Sequence, residues 1–278
     1  MSALWGRGFP RSFARSFSTA KPFARSFSTA KSGFFELRVD TVAPGQISSF
    51  LVETSRIAAL PQVKKQLPAG FKGMWKTELG GSLNKVYQLY HWDSYDQRDA
   101  TCSSGFEVEG NHSPVEMANM MLPFPTQREK LTEMRSMVMN EATECLQAAG
   151  LPGALQWNPP HTDASKRPAV AYELRTYQLV LGYSTVPKFL ELYSAGLRDK
   201  LEADDSGASS LASLLYSDSG SLNVVMELWR HESLERSQAS RQASRKATKW
   251  RDAINEIAGL SVSFDTQFLR PLPLSPWQ

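Results

Sequence analysis

The chain has 278 residues, of which 41% are hydrophobic and 21% are charged, as expected for a globular protein. No apolar run approaches the roughly 18–20 residues that a membrane-spanning helix needs. The net charge is +3, yet the first 35 residues hold six basic and no acidic side chains, so the remainder has 25 basic against 28 acidic residues. This slightly acidic remainder excludes nucleic acid as an expected partner, because that binding rests on phosphate neutralisation.

The first 33 residues have the composition of an organelle transit peptide, being basic, rich in Ser and free of acidic residues. Within them, the segment 13–21 recurs as 23–31. The arginine two residues before Phe27 resembles a mitochondrial cleavage signal, and a similar one precedes Phe17. We predict a mitochondrial transit peptide over residues 1–33, cleaved near Phe27, and a location in the matrix. A plastid address and a basic tail without an address are the alternatives.

The rest of the chain contains a tandem duplication. Glu-Leu-Arg at 36–38 returns at 173–175, and Gly-Ser-Leu-Asn at 81–84 returns at 220–223. The two offsets, 137 and 139 residues, are nearly equal. We therefore predict a first domain over residues 34–150, a Pro- and Gly-rich linker over 151–168, and a second domain over 169–278.

The hydrophobic pattern of the first repeat predicts strands separated by one helix, followed by an irregular segment. In chain order the predicted elements are a strand over 34–40, a helix over 46–66 and strands over 71–79 and 84–92. Residues 101–125 are rich in Gly and Pro and predict a long insertion. Residues 127–149 consist of strong helix formers, which favours a helix. Comparison with the second repeat favours an edge strand in the later part, so both structures remain open.

The second repeat has a clearer pattern. Its predicted elements are a strand over 169–178, a helix over 184–203, strands over 209–216 and 222–229, one long helix over 233–258 and a strand over 260–269. Each repeat therefore predicts the order β-α-β-β-α-β of a ferredoxin-like α+β domain. Its two helices would cover one face of the sheet, and the other repeat could cover the opposite face.

The second repeat resembles the NIPSNAP family in the strand Tyr-Glu-Leu-Arg-Thr-Tyr at 172–177 and in the hairpin Gly-Ser-Leu-Asn-Val-Val-Met-Glu-Leu-Trp at 220–229. The first repeat carries weaker counterparts, and the insertion at 101–125 departs from the family pattern. The resemblance implies an intramolecular dimeric α+β barrel made of two tandem ferredoxin-like repeats. It also implies a mitochondrial protein with autophagy or trafficking adaptors as partners. Related barrel families include small monooxygenases.

Strand alternation separates an apolar from a polar face in each repeat. We expect the apolar face to pack on the helices and the polar face to line a cavity between the two sheets. The candidate ligand-binding residues lining this cavity are Glu36, Arg38, Gln88, Glu173, Arg175 and Glu227. Such groups could bind an anion or transfer protons. Alternatively, they form a Glu–Arg network that only fixes the register of the sheets.

No catalytic residue, metal site or cofactor is predicted. The four histidines and two cysteines show no metal-ligand spacing, and no phosphate-binding loop or nucleophile elbow occurs. A basic helix at 230–251 predicts a solvated face, with an acidic partner or a lipid headgroup as alternatives. Trp157 and Trp277 are candidate exposed contacts for a partner.

The sequence thus favours a non-enzymatic NIPSNAP-like interaction protein, acting in organelle quality control through mitophagy or in vesicle trafficking. A small-molecule binder, or a cofactor-free or haem-linked monooxygenase working in the cavity between the sheets, is the alternative. The expected partners are proteins. Peripheral membrane association and assembly into homo-oligomers both remain open.

Overall fold

The first repeat folds around four strands whose alternating apolar residues face one side. The computed structural model describes residues 33–61, 63, 67–103, 125–163, 165 and 169–278. The elements of the first repeat are β1 Phe34–Val42, a 3-10 turn Pro44–Gln46, α1 Ile47–Ala58, β2 Phe71–Leu79, β3 Lys85–Trp92, α2 Tyr95–Ser103, α3 Pro125–Arg128, β4 Leu131–Glu141 and α4 Thr143–Ala148. The predicted transit peptide and most of the predicted insertion lie outside the described residues.

The segment 127–149 contains a strand, which decides between the two structures that its sequence left open. β4 pairs antiparallel with β1 from Phe35 opposite Met139 to Val42 opposite Leu131. A helix of the same residues would leave that edge of β1 unpaired. Tertiary pairing therefore outweighs helix propensity, which differs between ordinary residues by only about 0.7 kcal/mol or less.

The second repeat follows the same order with longer helices. Its elements are β5 Ala171–Leu179, α5 Thr185–Ala203, β6 Ser209–Ser219, β7 Val224–His231, α6 Leu234–Ser244, α7 Thr248–Leu260 and β8 Ser261–Pro271. The single long helix predicted over 233–258 is wrong, because α6 and α7 are separate. The Asp199 carboxylate on α5 accepts hydrogen bonds from the backbone N–H groups of Lys249 (2.8 Å) and Trp250 (3.3 Å). This cap from a neighbouring helix starts α7 at a new point.

The two repeats join edge to edge into one closed barrel. Its strands follow the order β1-β3-β2-β8-β5-β7-β6-β4, and every adjacent pair is antiparallel. Only β2 with β8 and β4 with β6 pair across the repeats. The prediction of two ferredoxin-like repeats forming an intramolecular dimeric α+β barrel is confirmed.

The repeated Gly-Ser-Leu-Asn turns brace the junctions between the repeats. A Cβ atom on Gly80, beside the first turn, would lie 2.6 Å from the carbonyl oxygen of Thr266 in β8. In the second turn, a Cβ on Gly220 would lie 2.9 Å from Met137 Cγ in β4. Each turn therefore packs against the last strand of the other repeat. Both glycines have positive φ, 81° and 96° respectively, which glycine adopts without strain.

Aromatic side chains from the linker and the tail close one end of the barrel. Trp157 and Trp277 are buried and contact each other edge to face, with ring centroids 4.7 Å apart. Trp277 also lies 6.3 Å from Trp75 of β2. The expectation that Trp157 and Trp277 are exposed contacts is wrong, because they cover apolar strand residues that would otherwise meet water.

Candidate functional site

The interior of the barrel is apolar and almost filled. Side chains of β1, β3, β5 and β7 point into it, among them Leu37, Tyr87, Leu174 and Met226. They enclose a void with a volume of about 20 Å³. Such a void holds about one water molecule and is too small for a substrate-sized ligand.

The predicted orientation of the two strand faces is wrong. The polar set Glu36, Arg38, Gln88, Glu173, Arg175 and Glu227 lies on the outer face of the barrel, beneath the helices, rather than in a cavity between the sheets. A narrow barrel centre has room only for closely packed apolar side chains. The interface with the helices instead offers long polar side chains that can reach the strand carboxylates. Whether these residues bind a ligand stays a prediction.

In the second repeat, Glu173 is the centre of a hydrogen-bond network, here named the Glu173 cluster together with Arg175, His231, Ser237 and Arg241. Arg175 Nε donates to Glu173 Oε1 at 2.6 Å, and Arg241 Nη2 of α6 donates to the same oxygen at 2.7 Å. Ser237 Oγ donates to Oε2 at 3.0 Å, and His231 Nε2 lies 3.2 Å from it. The carboxylate therefore fastens α6 to the barrel wall through Ser237 and Arg241.

The electrostatics of the Glu173 cluster keep its charges in place. Burial alone would raise the pKa of Glu173, but the hydrogen bond with His231, the charge of Arg175 and the hydrogen bond from Arg241 together hold it well below its usual range. Burial lowers the pKa of His231, so the imidazole is neutral near pH 7. The cluster is thus an ionised carboxylate with two guanidinium groups and a neutral histidine.

A buried lysine lies next to this cluster, on α5. Lys200 Nζ is 4.0 Å from Glu227 Oε2 and 3.6 Å from the centroid of the Trp229 ring. Among the described residues, no atom accepts a hydrogen bond from this ammonium group. Burial, followed by the positive charge of Arg175, lowers the pKa of Lys200 to about 7. Lowered lysine pKa values occur in catalytic sites and in structural networks alike.

The first repeat has a corresponding but more open network, here named the Glu36 cluster together with Trp92, Arg98 and Ser136. Arg98 of α2 binds Glu36 in bidentate fashion, with Nε to Oε2 at 2.7 Å and Nη2 to Oε1 at 3.0 Å. Trp92 Nε1 (3.0 Å) and Ser136 Oγ (2.9 Å) also donate to this carboxylate. Burial would raise the pKa of Glu36, but the bonds from Arg98 and Ser136 outweigh it and lower the pKa.

Asp40 and Gln88 in the first repeat take the places that Tyr177 and Glu227 hold in the second. Gln88 Nε2 donates to Asp40 Oδ2, whereas in the second repeat Tyr177 Oη donates to Glu227 Oε1 at 2.7 Å. Burial raises the pKa of Asp40 to about 6, against the charge of Arg38. The carboxylate therefore lies on the first strand in the first repeat, as Asp40 of β1, and on the hairpin strand in the second repeat, as Glu227 of β7.

Three contributors to these networks escaped the sequence analysis. Arg98 lies on α2, a helix that the sequence pattern did not predict, and Arg241 lies in the middle of α6. The reach of each toward a strand glutamate depends on the docking of its helix. Arg241 belongs to the helix that was expected to expose a basic face, yet it binds Glu173. Lys200 follows the helical period of apolar residues in α5, a spacing that could have indicated its burial.

A second concavity lies outside the barrel, between the linker and the tail. It has a volume of about 470 Å³ and is lined by Pro159, Pro160, Pro273 and Pro276 together with Leu67, Leu274 and the polar residues His161, Thr162, Ser275 and Gln278. Buried Arg230 ties the two segments together by hydrogen bonds to Thr162 and to the backbone carbonyl of Gln278.

Comparison with known proteins finds a family match in the second repeat. Residues 172–276, which span the second repeat from β5 to the tail, match the model of the NIPSNAP family. The human protein NipSnap homolog 3A is 22% identical over 248 residues, covering 87% of this chain and 85% of the relative. The chain is therefore similar to NIPSNAP proteins, most clearly in its second repeat.

Mouse NipSnap homolog 3B is also 22% identical, over 244 residues, with the same coverage of 87% of this chain and 85% of the relative. Both relatives therefore match across the two repeats, whereas the family model matches only the second. A solved structure of a proposed monooxygenase from Fusobacterium nucleatum has a TM-score of 0.53 and 9% identity, and the match covers 87% of this chain and 94% of the other. At this identity the likeness shows the fold alone.

Proposed function

We propose that this chain is a NIPSNAP-like, non-enzymatic interaction protein of the mitochondrial matrix that acts in organelle quality control (mitophagy) or in vesicle trafficking. The observation that carries the non-enzymatic part is the apolar packing of the barrel interior, where Leu37, Tyr87, Leu174 and Met226 enclose a void of only about 20 Å³. The charged side chains beneath the helices bind one another, which supports a structural role for them. The mitochondrial part rests on the composition of the first 33 residues.

Localisation is tested with fluorescent fusions of the full chain. The full chain is expected to colocalise with a matrix marker, and a chain lacking residues 1–33 is expected to remain outside mitochondria. A full chain with Arg15 and Arg25 changed to Ala serves as the matched variant for cleavage, and it should accumulate in an uncleaved form. A truncated chain that still enters mitochondria would overturn the mitochondrial part of the proposal.

The quality-control role is tested by deleting the gene and depolarising the mitochondria. Recruitment of labelled autophagy adaptors to mitochondria is expected to fall, and the full chain should restore it. Secretory cargo transport is measured in parallel, because a defect there would favour the trafficking branch. Normal recruitment and normal transport in the deleted cells would contradict the proposal.

The enzymatic alternative is tested on the purified full chain. No chromophore is expected to copurify, and haem, flavin or quinone should leave the melting temperature unchanged. Among the described residues, no helix has the length and hydrophobicity to cross a bilayer. A bound chromophore, or a saturable rise in melting temperature, would instead point to a small-molecule binder or a monooxygenase.

A further inference from the structure

The last strand of the second repeat has an open edge. β8 pairs with β5 along its whole length, but β2 reaches only as far as Leu79, which lies opposite Phe268. Gly80 then packs against Thr266. Within the part of the chain that the structure describes, no strand pairs with the outer side of 261–265. Unpaired N–H and C=O groups along such an edge are a template for another strand.

The side chains on this edge are apolar and exposed. Val262 and Phe264 are 68% and 51% exposed, and both point to the outer face of the barrel. Phe264 stacks on Tyr177 with one face at 4.5 Å between centroids, which holds its ring in a fixed position. An ordered aromatic ring beside an open strand is a preformed contact rather than a mobile side chain.

Further exposed apolar residues adjoin this edge. Leu181 is 83% exposed and Tyr183 fully exposed, on the loop that follows β5. The backbone N–H of Val180 donates to the carbonyl oxygen of Leu260 at 2.9 Å, so this loop lies directly beside the start of β8. Apolar groups gathered at one corner mark an interaction surface more strongly than single exposed residues do.

The equivalent corner of the first repeat is less apolar, with Met134 of β4 44% exposed. Positions 262 and 264 correspond to Thr132 and Met134 in β4, and the loop residue Tyr183 corresponds to Gln46. The β4 edge also carries Glu133 and Arg135, which bind each other at 2.7 Å. Charges on an edge strand oppose pairing. Because the two repeats share one fold but differ at this corner, the apolar character of the second corner is not a requirement of the fold.

The sequence of the β8 edge is complementary to itself. If two copies pair antiparallel about a twofold axis through Ser263, Val262 of each lies opposite the partner's Phe264, and Ser261 lies opposite the partner's Asp265. Both Val–Phe pairs then share one face, and no like charges meet. Aromatic–β-branched pairs stabilise antiparallel strands. A register centred further along is blocked, because the Gly80 turn occupies the strand from Thr266 onward.

We propose that the open β8 edge, residues 261–265, is a homodimer interface in which two copies of this chain pair β8 with β8 across a twofold axis. Such a contact is isologous and closes at two copies, which avoids growth into fibres. It joins the two barrels into a sheet that continues through both, without using the barrel interior. This proposal is independent of the proposed cellular role.

The mass of the full chain in solution tests the proposal. Sedimentation equilibrium is expected to give a dimer for the wild type. The variant V262K/F264K should weaken association by about tenfold or more, because two apolar pairs are replaced by opposed positive charges. The matched variant T132K/M134K, at the equivalent positions of β4, should leave the mass unchanged. Circular dichroism and melting temperature show that each variant is folded.

Disulfide trapping tests the register without disturbing the apolar pairs. The variant S263C places a thiol on the proposed axis and should form a dimer under mild oxidation that a reductant reverses, while E133C, its equivalent in β4, should not. The wild type measures the background from Cys102 and Cys145. A monomeric wild type at all concentrations, equal crosslinking of both variants, or a dimer unaffected by V262K/F264K would overturn the proposal.

Discussion

The two repeats bury the same glutamate in different surroundings. Glu36 is held by Arg98, whose side chain is 31% exposed, together with a serine and a tryptophan. Glu173 is held by Arg175, which is only 13% exposed, and by Arg241, which is 37% exposed, with a neutral histidine beside them. Arg98 of the first network can turn toward water, whereas Arg175 of the second stays buried. Both repeats have thus kept the buried glutamate, but we expect its network to contribute more to the free energy of unfolding in the second repeat.

The comparison further separates a shared fold from a difference in surface. Both repeats place their Gly-containing turn against the last strand of the other repeat, and both leave the outer part of that strand unpaired on one side. The second repeat surrounds its open edge with several exposed apolar residues, among them Val262, Phe264 and Leu181, whereas the first exposes Met134 at the equivalent place. Features common to the repeats therefore serve the barrel, and features found in one repeat are the place to look for a specific role.

The largest expected effect comes from Glu173→Ala. Removing the carboxylate leaves Arg175 buried without its counterion, which should cost about 3–5 kcal/mol of unfolding free energy. Glu36→Ala should cost less, about 1–3 kcal/mol, because Arg98 can turn toward water while buried Trp92 Nε1 loses its acceptor. Urea unfolding of both variants measures the difference. Equal losses would show that the exposure of the arginine does not determine how much the network contributes to the free energy of unfolding.

Lys200→Met should stabilise the protein near pH 7. The folded pKa of Lys200 is about 7 against an ordinary value of 10.5, so between these values the unfolded chain binds a proton that the folded chain does not. Wild-type stability from this group therefore rises as pH increases from about 7 towards 10.5. The variant should show a higher melting temperature at pH 6–7 and a flatter profile at alkaline pH.

Lys188→Met on the same helix is the control, because the Lys188 side chain is exposed and pairs with Glu191 at the surface. Its pH profile should follow that of the wild type. A Lys200→Met variant with the wild-type pH dependence would mean that the Lys200 ammonium is compensated in the fold, by Glu227 and the Trp229 ring together.

Asp40→Asn should stabilise the first repeat at neutral pH. The pKa of Asp40 is raised from 3.8 to about 6, so its contribution to stability is full below 3.8 and is lost as pH rises through 6. At pH 7 the free energy of unfolding of the Asp40→Asn variant should therefore be about 2 kcal/mol higher than that of the wild type. Unfolding in urea at pH 5 and pH 7 measures the gain, with exposed Asp252→Asn as the control. A gain of the same size at both pH values would argue against titration of Asp40 as its cause.

The smallest difference between the repeats is expected at the turns that join them. Gly80→Ala should cost about 2–3 kcal/mol, because the new Cβ meets a backbone carbonyl and φ is positive. Gly220→Ala should cost about 1–2 kcal/mol, since its Cβ meets the mobile end of Met137 instead. Thermal unfolding compares the two variants. A larger loss at Gly220 would mean that the second junction is the tighter one.

Periodicity sufficed for most of the fold because strand alternation and helical spacing are local properties. β2 was predicted with the bounds it has, and the other strands differ from prediction by a few residues at their ends. The long helix over 233–258 failed because its break depends on Asp199, a residue from another helix. The end of the first repeat stayed ambiguous because pairing with β1, not local propensity, makes β4 a strand.

The candidate site shows the same division. The amino-acid sequence by itself determined the duplication, the strand order within each repeat and which residues share a strand face, since these follow from motifs and from the period of two. It did not determine which face is inside. That required the closure of eight strands into a barrel too narrow for anything but packed apolar side chains, and the docking of helices whose Arg98, Arg241 and Lys200 meet the strand carboxylates. Such contacts join residues distant in the chain, so only the tertiary structure decided them.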